Sequence, residues 1–378
     1  MRITGEWLAT RATQRVLHLL TEAGYEGYAV GGCVRNALIG VPVTDVDIAT
    51  NARPKTVMAL AVDAGLRAVP TGLDHGTVTI VAEGEGFEVT TFRRDVETYG
   101  RHATIAFADH MHEDAARRDF TMNALYARAD GTVLDPLGGG LADLAARRVR
   151  FVGDATARIR EDYLRILRFF RFHAQYGDAT AGIDPEALAA CAAGADGMDK
   201  LSAERITAEL RRLLAAPDPA PAVAAMAQAG VLAHVLPGGD HRALGVLVHL
   251  EDGLEPAWLR RLAVVGGSTE RLRLTRREAR DLLRLRAAIE TQQGPAELGY
   301  RLGAELGSSA LLVRAALLET PLPPDWQARV KRGAVAQFPV RASDLPHLDG
   351  PDLGAELRRL EARWIASDFR LDKAALLG

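Results

Sequence analysis

Tyr28-Ala29-Val30-Gly31-Gly32-Cys33-Val34-Arg35-Asn36-Ala37-Leu38, followed after one short connection by Thr44-Asp45-Val46-Asp47-Ile48-Ala49-Thr50, reads as strand, glycine turn, helix, strand. Tyr28, Ala29 and Val30 are aromatic, small or β-branched, as a buried strand requires. Gly31 and Gly32 let the backbone turn sharply and come close to a ligand, and N–H groups exposed there can hold a phosphate. Strand alternation throws Asp45 and Asp47 to one face and sends Val46 and Ile48 to the core. Two such carboxylates repel unless a cation lies between them. Hard oxygen ligands at this spacing suit Mg²⁺, which completes its shell with water and substrate phosphates. A phosphate cradle beside a metal pair predicts phosphoryl or nucleotidyl transfer. Each half alone also has a plain reading, as a turn or a solvated strand end; their order joins them.

A chain of 378 residues has room for two or three domains and a large core. No apolar run is long enough to span a membrane, and Met1 to Glu6 lacks an apolar signal core, so a cytoplasmic protein is expected. Cys33 and Cys191 are too few and too far apart for a disulfide framework or a zinc site, and are expected reduced. A net charge of −3 excludes a generally basic nucleic-acid binder, yet arginines cluster. They gather at Arg147, Arg148 and Arg150, at Arg158, Arg160, Arg165, Arg168 and Arg171, and at Arg260, Arg261, Arg271, Arg273, Arg276, Arg277 and Arg280. These are solvated helix faces or phosphate sites; i,i+4 acids can neutralise such faces.

Helical spacing of Trp7, Leu8, Val16, Leu17, Leu19 and Leu20 predicts an opening amphipathic helix that stops at Gly24. Asn51 and Pro54 start another that runs to about Gly65. His75 to Val81 and Phe87 to Phe92 alternate about a turn at Gly84 and Gly86, which predicts a hairpin in a mixed sheet. The polar, aperiodic segment Arg93 to Asp109 reads as a long functional loop. A helix near His112 to Arg118 and strands in Phe120 to Ala127 and at Val133-Leu134 close this region, with a boundary near residue 140. Beyond it the pattern is helical, including a helix after Ser202 that ends before Pro217 and a last one from Pro351 to Ser367.

Gly31-Gly32-Cys33-Val34-Arg35 followed by Asp45-Val46-Asp47 resembles the signature of the polymerase-β-like nucleotidyltransferases, specifically the bacterial-type tRNA CCA-adding enzymes and their poly(A) polymerase relatives. One position departs. The family usually has Asp after the arginine, where this chain has Asn36, an amide that keeps the shape and loses the charge.

Glu88 alone is an exposed strand acid; beside the Asp45–Asp47 strand it becomes a third carboxylate that ligates a metal or takes a proton. Glu88 to Arg93 matches the family's Glu-Val-Thr-Thr-Phe-Arg strand, whose glutamate plays that part. Arg117-Arg118-Asp119-Phe120-Thr121-Met122-Asn123-Ala124 resembles the family's Arg-Arg-Asp-Phe-Thr-x-Asn-Ala motif. Unaided, it reads as arginine forks for phosphate or ribose, with Asp119 and Asn123 fixing them or reaching the sugar, or as a structural ion-pair cluster. The resemblance implies that Arg118 contacts nucleotide and that Asp119 selects the sugar or supports the site.

In Arg160 to Phe172 a single helix would set Asp162 and Arg165 side by side at i,i+3, with Arg168 and Arg171 along the same ridge. An aspartate accepts from the amino group of cytosine or adenine and an arginine donates to ring nitrogens or a carbonyl, a pattern that guanine and uracil do not match. An ordinary salt-bridged helix has the same spacing. The stretch matches the family's Glu-Asp-x-x-Arg motif, which implies base selection by Asp162 and Arg165 and nucleotide contacts by Arg168 and Arg171.

The resemblance covers residues 28 to 175 closely and implies an α+β protein: a head over residues 1–140 with a mixed sheet, a helical neck over 141–215, and a helical body and tail over 216–378. It implies addition of CCA to tRNA 3′ ends from CTP and ATP, with Asp45 and Asp47 on Mg²⁺, Glu88 assisting, and Gly31, Gly32 and Arg35 at the triphosphate. The partners it implies are tRNA and the two nucleotides, with no membrane and no obligate protein partner expected. Asp95, Thr98, Gly100 to Ala103 and Phe107 resemble the loop that full CCA-adding enzymes use and CC-adding enzymes lack. An A-adding enzyme or poly(A) polymerase is the alternative, and a non-catalytic RNA-binding relative a more distant one.

Overall fold

The computed structural model describes residues 1–99 and 102–378, and for 95–99 and 102–105 the backbone alone. It opens with α1 (Glu6–Ala9) and α2 (Arg11–Glu22), where the apolar spacing predicts one helix. Thr10 divides them: its hydroxyl accepts from the Thr13 N–H at 3.1 Å and caps a new helix. Val16, Leu17 and Leu20 of α2 are fully buried, and the helix packs on the sheet.

β1 (Gly27–Val30), α3 (Gly32–Leu38), β2 (Asp47–Thr50), α4 (Pro54–Asp63), β3 (Arg67–Gly72), β4 (Thr77–Ala82) and β5 (Glu85–Thr91) follow. β4 and β5 form the expected hairpin, paired from Thr77↔Thr90 to Ala82↔Glu85. β3 is an addition to the expected elements. Pro70 argues against a strand, but β3 is the sheet's edge and its register slips between Val69 and Gly72, where no ladder N–H is required.

Where the sequence predicts a loop, β6 (Arg93–Tyr99) and β7 (His102–Phe107) pair as a separate two-stranded ribbon. A ribbon closes its hydrogen bonds without needing a periodic apolar face, so its sequence carries no strand signal. The ribbon's base is fixed: the Ala108 N–H donates to the Phe92 carbonyl at 2.8 Å, and the Phe107 ring lies where a Cβ on Gly76 would meet it at 2.9 Å. Gly100 and Arg101 of the expected CCA-type loop lie outside the described residues, as do the side chains of Asp95, Thr98, His102 and Ala103.

α5 (Met111–Ala116), a 3₁₀ turn at Thr121–Asn123, β8 (Tyr126–Ala127) and β9 (Val133–Leu134) complete the sheet, whose order is β3-β4-β5-β2-β1-β8-β9. Its β2–β5 pair is parallel and its other pairs are antiparallel, the mixed sheet predicted. Then come α6 (Gly140–Ala145), α7 (Ala155–Glu161), α8 (Leu164–Tyr176), α9 (Pro185–Ala193) and α10 (Ala203–Leu214). Phe120 meets Phe172 at 4.9 Å between ring centroids, and Phe151 meets Phe169 at 5.6 Å, so aromatic packing fastens α8 to the segment after α5.

The chain divides into two compact units, residues 1–209 with 228–234, and residues 210–227 with 235–378. The second is helical. Within it the helices Pro295–Leu302 and Trp326–Val335 touch backbone to backbone: a Cβ on Gly333 would lie 1.8 Å from the Ala296 carbonyl, and one on Gly299 2.0 Å from that of Val330. The helix expected to be the last spans Gly350–Ala366 and buries Leu360 and Trp364, but a further short helix, Lys373–Leu377, follows it. Among the described residues no helix is long and apolar enough to cross a membrane.

Candidate active site

Glu88 stands beside Asp47. The two are register partners across the parallel β2–β5 pair, so their side chains leave the same face, while Ile48 and Val89, the next pair, are fully buried beneath. Asp45 does not share the strand as the alternation predicts, because β2 begins at Asp47; it lies two residues before, with its carboxylate accepting from the Thr44 hydroxyl at 3.0 Å. Crowding by protein atoms pushes the Asp47 carboxyl above its ordinary value, Glu88 adds to the rise, Arg118 opposes it, and Asp45 adds a little more. Both other acids therefore act on Asp47.

Among the described residues no three His, Cys, Asp or Glu side chains are gathered tightly enough to hold a metal ion as they stand. The donor set nonetheless fits a hard dication, since carboxylates from adjacent segments act on one another without enough positive charge to relieve Asp47.

Gly31, with φ of 73°, links β1 to α3 in a conformation that L side chains avoid. Its N–H is spent on the Leu125 carbonyl at 3.1 Å and is not offered to a phosphate as the sequence suggests. What its missing side chain provides is room for Arg118, whose guanidinium would lie 3.2 Å from a Cβ there. Around Gly32 a Cβ would meet only the tip of Arg35, at 3.8 Å.

Arg118 is held by a residue that sequence reasoning missed. Asp114, buried on α5, accepts from Arg118 at 3.0 Å, from Arg117 at 2.9 Å and from the Tyr126 hydroxyl at 2.7 Å. Tyr126 in turn accepts from Arg118 at 3.2 Å. Burial raises the Asp114 carboxyl, but Arg118, Arg117 and Tyr126 outweigh it and hold it down at about 2. Its signal was the i,i+3 and i,i+4 spacing to Arg117 and Arg118.

Arg35 is 6% exposed and its hydrogen bonds go to neutral groups: Asn123 Oδ1 at 2.5 Å, the Tyr176 hydroxyl at 2.9 Å, and Asn36 Oδ1 at 2.8 and 3.2 Å. It also stacks on the Tyr176 ring at 4.0 Å. Asp119 is one step removed. Its oxygens accept from Asn123 at 2.9 Å and from Arg168 Nε at 2.8 Å, so Asp119 and Arg168 form an ion pair behind Arg35. Burial raises the Asp119 carboxyl, and Arg168 and Asn123 bring it below the ordinary range.

Asp162 and Arg165 do not sit on one helix. Asp162 ends α7 with extended backbone, and Arg165 lies in the first turn of α8. Asp162 accepts from Arg205 at 2.6 Å and from the Leu164 N–H at 3.1 Å; Arg165 donates to Glu161 and, at 2.8 Å, to the Arg158 carbonyl. The expected pair is thus two ion pairs side by side, with Arg205 and Glu161 as unforeseen partners. Arg171, expected at the nucleotide, is 7% exposed and paired with Glu209 and Gln175. In the middle arginine cluster, Arg158, Arg165, Arg168 and Arg171 are all bound to acids, while Arg160 is exposed. Arg260 and Arg261, in the third cluster, are buried with Glu251.

Residues 27–150 match the model of the poly(A) polymerase head domain, and residues 182–242 that of the probable RNA- and SrmB-binding site of polymerase A. The chain is 32% identical to the mitochondrial CCA tRNA nucleotidyltransferase 1 of Mus musculus, across 98% of this chain and 90% of that protein. It is 38% identical to the CCA-adding enzyme of Geobacillus thermodenitrificans across 82% and 71%. Its fold is similar to that of the Bacillus stearothermophilus CCA-adding enzyme solved in complex with CTP, with a TM-score of 0.74, 28% identity and coverage of 95% and 93%. A parallel Asp47–Glu88 pair on a polymerase-type head, joined to relatives of nearly its whole length, settles the assignment: the chain belongs to the family of CCA-adding tRNA nucleotidyltransferases.

Proposed function

We propose that this chain transfers CMP twice and AMP once, from CTP and ATP, to the 3′ end of tRNA with release of pyrophosphate. The observation that carries the reading is the register of Asp47 with Glu88, with Asp45 close enough to act on the same carboxyl. Attack by a 3′-hydroxyl on an α-phosphate needs its negative charges met at one point. Asp45 and Asp47 would hold Mg²⁺. When bound, the ion neutralises triphosphate charge and makes the attacking hydroxyl more acidic. Glu88 orients that hydroxyl and accepts its proton. Arg35, buried among neutral acceptors, meets the triphosphate over Gly32, and Arg118, held by Asp114, meets the nucleotide.

Asp162 and Arg165 select the base, with Arg205 and Glu161 holding them in place until it arrives. Asp119 and Arg168 shape the wall behind Arg35, and Arg171 supports α8. The helices beyond residue 215 hold the acceptor arm through its backbone and shape, because every tRNA must be accepted. The names of the bacterial relatives favour CCA addition over A addition or poly(A) synthesis. A cytoplasmic setting goes with this reading, and both cysteines are free and buried.

Pyrophosphate release tests the chemistry. With tRNA lacking its terminal CCA, CTP, ATP and Mg²⁺, release that depends on tRNA and disappears in Asp47→Ala is expected. No release, or release that ignores tRNA, overturns the reading.

A further inference from the structure

The break between α7 and α8 is seated on glycines. Asp162 ends α7 with extended backbone, at φ −154° and ψ 105°, and Tyr163 opens α8, its carbonyl accepting from the Ile166 N–H at 3.1 Å. Against this break packs the segment after α9, which starts at Gly194 and makes a 3₁₀ turn over Ala195–Lys200. A Cβ on Gly194 would lie 2.7 Å from Ile159 of α7 and 3.5 Å from Ile166 of α8, both fully buried. A Cβ on buried Gly197 would overlap three ring carbons of Tyr163, its nearest neighbours. The ring thus lies flush on the Gly197 backbone, and the Lys200 ammonium stands 5.5 Å from the ring centroid. Space is what Gly197 supplies: its φ is not positive, so its backbone would accept alanine and the clash is with the ring.

We propose that Tyr163, seated on Gly197, is a positioning residue for base selection, fixing where the chain leaves α7 and so where the Asp162 carboxylate points; this rests on the reading of Asp162 as a base contact. Asp162 lies outside both helices, so no helical ladder holds it. Its side chain is restrained by Arg205 and the Leu164 N–H, and its backbone by the neighbour that follows it. That neighbour carries a rigid ring lodged on buried backbone, and any shift of the ring passes through one peptide to Asp162. A carboxylate tells an amino group from a carbonyl only within hydrogen-bond reach and alignment, which a displacement of about 1 Å destroys. The two residues belong together, since a ring at position 163 of this chain leaves no room for a side chain at 197.

Gly197→Ala expels the ring, Tyr163→Ala removes it and Tyr163→Phe keeps it. For these variants, the double variant of the two alanine substitutions, and Asp162→Ala, kcat/KM for CTP and for UTP is measured on tRNA lacking its CCA end, with thermal melting as the check on folding. Gly197→Ala and Tyr163→Ala are each expected to lower the CTP-to-UTP ratio about tenfold, while Tyr163→Phe keeps the wild-type ratio. The double variant falls no further than Tyr163→Ala, because both substitutions delete one contact. A wild-type ratio in Gly197→Ala or Tyr163→Ala, even with addition of both nucleotides reduced, overturns the proposal, as do losses that multiply in the double variant. Where Gly197→Ala does not fold, Tyr163→Ala and Tyr163→Phe decide it. A wild-type ratio in Asp162→Ala overturns the base-selection reading and the proposal with it, whereas a ratio lost there and kept in Gly197→Ala and Tyr163→Ala sinks the seat alone.

Discussion

Asp47 and Glu88 face each other across the β2–β5 pair, the parallel pair of the sheet, with fully buried Ile48 and Val89 fixing the strands beneath them. Strand pairing thus brings together acids that lie far apart in sequence. The cost falls on Asp47, whose carboxyl is raised by crowding and by Glu88.

That cost predicts a trade between stability and activity. A carboxyl raised in the fold destabilises it at neutral pH and has no effect at low pH, where it is protonated folded and unfolded. Asp47→Asn is therefore expected to melt about 2 °C higher than wild type in EDTA at pH 7, with the gain vanishing as pH falls below the ordinary aspartate range. Nucleotide addition is lost. A lower melting temperature would show that Asp47 is not under electrostatic strain.

Asp114 predicts the opposite pH behaviour. Its carboxyl is held at about 2 by Arg118, Arg117 and Tyr126, so its stabilisation is complete above the ordinary aspartate range and lost as pH falls toward 2. Asp114→Asn removes the carboxylate's charge and one of its two acceptor oxygens, of which one serves Arg117 and the other Arg118 and Tyr126, and is expected to be less stable at pH 7, with a flatter acid-unfolding profile. Addition falls by about tenfold or more through a higher KM for nucleotide. Wild-type KM would remove Asp114 from the site.

The sheet is readable because its strands alternate about the turn at Gly84, whereas Glu88, alone an exposed strand acid, stands out only by its match to the family's Glu-Val-Thr-Thr-Phe-Arg strand. Partners were the difficulty. Arg205 for Asp162 and Glu209 for Arg171 come from α10, some forty residues away, and no local period reports such pairs. Asp162 was misplaced on a continuous helix because its spacing to Arg165 suits one, whereas its own side chain accepts from the Leu164 N–H and helps to separate α7 from α8. Arginine-rich stretches look the same in sequence whether they face solvent or, like Arg261 at 2% exposure, lie in a core.

Arg205 offers a test of base selection away from the reacting atoms. Arg205→Ala frees the Asp162 carboxylate from its 2.6 Å partner. Misincorporation of UTP or GTP is expected to rise about tenfold, with tRNA affinity unchanged in a binding titration. Unchanged fidelity would mean that Asp162 does not depend on this ion pair.

Arg261 donates to Glu251 at 2.8 Å, to the Leu214 carbonyl at 2.8 Å and to that of Pro217 at 3.1 Å, closing the end of α10 within the second unit. Arg261→Met leaves these buried acceptors short of donors and is expected to cost about 3 kcal/mol in urea unfolding. A loss below about 1 kcal/mol would show that the carbonyls find other donors.

The most direct measurement is product length on tRNA lacking its CCA end, with Mg²⁺ and CTP alone, ATP alone, or both. The account predicts two added nucleotides with CTP alone and three, ending in A, with both. A long A tail, addition of A only to tRNA that already ends in CC, or arrest at CC when both nucleotides are present would contradict it.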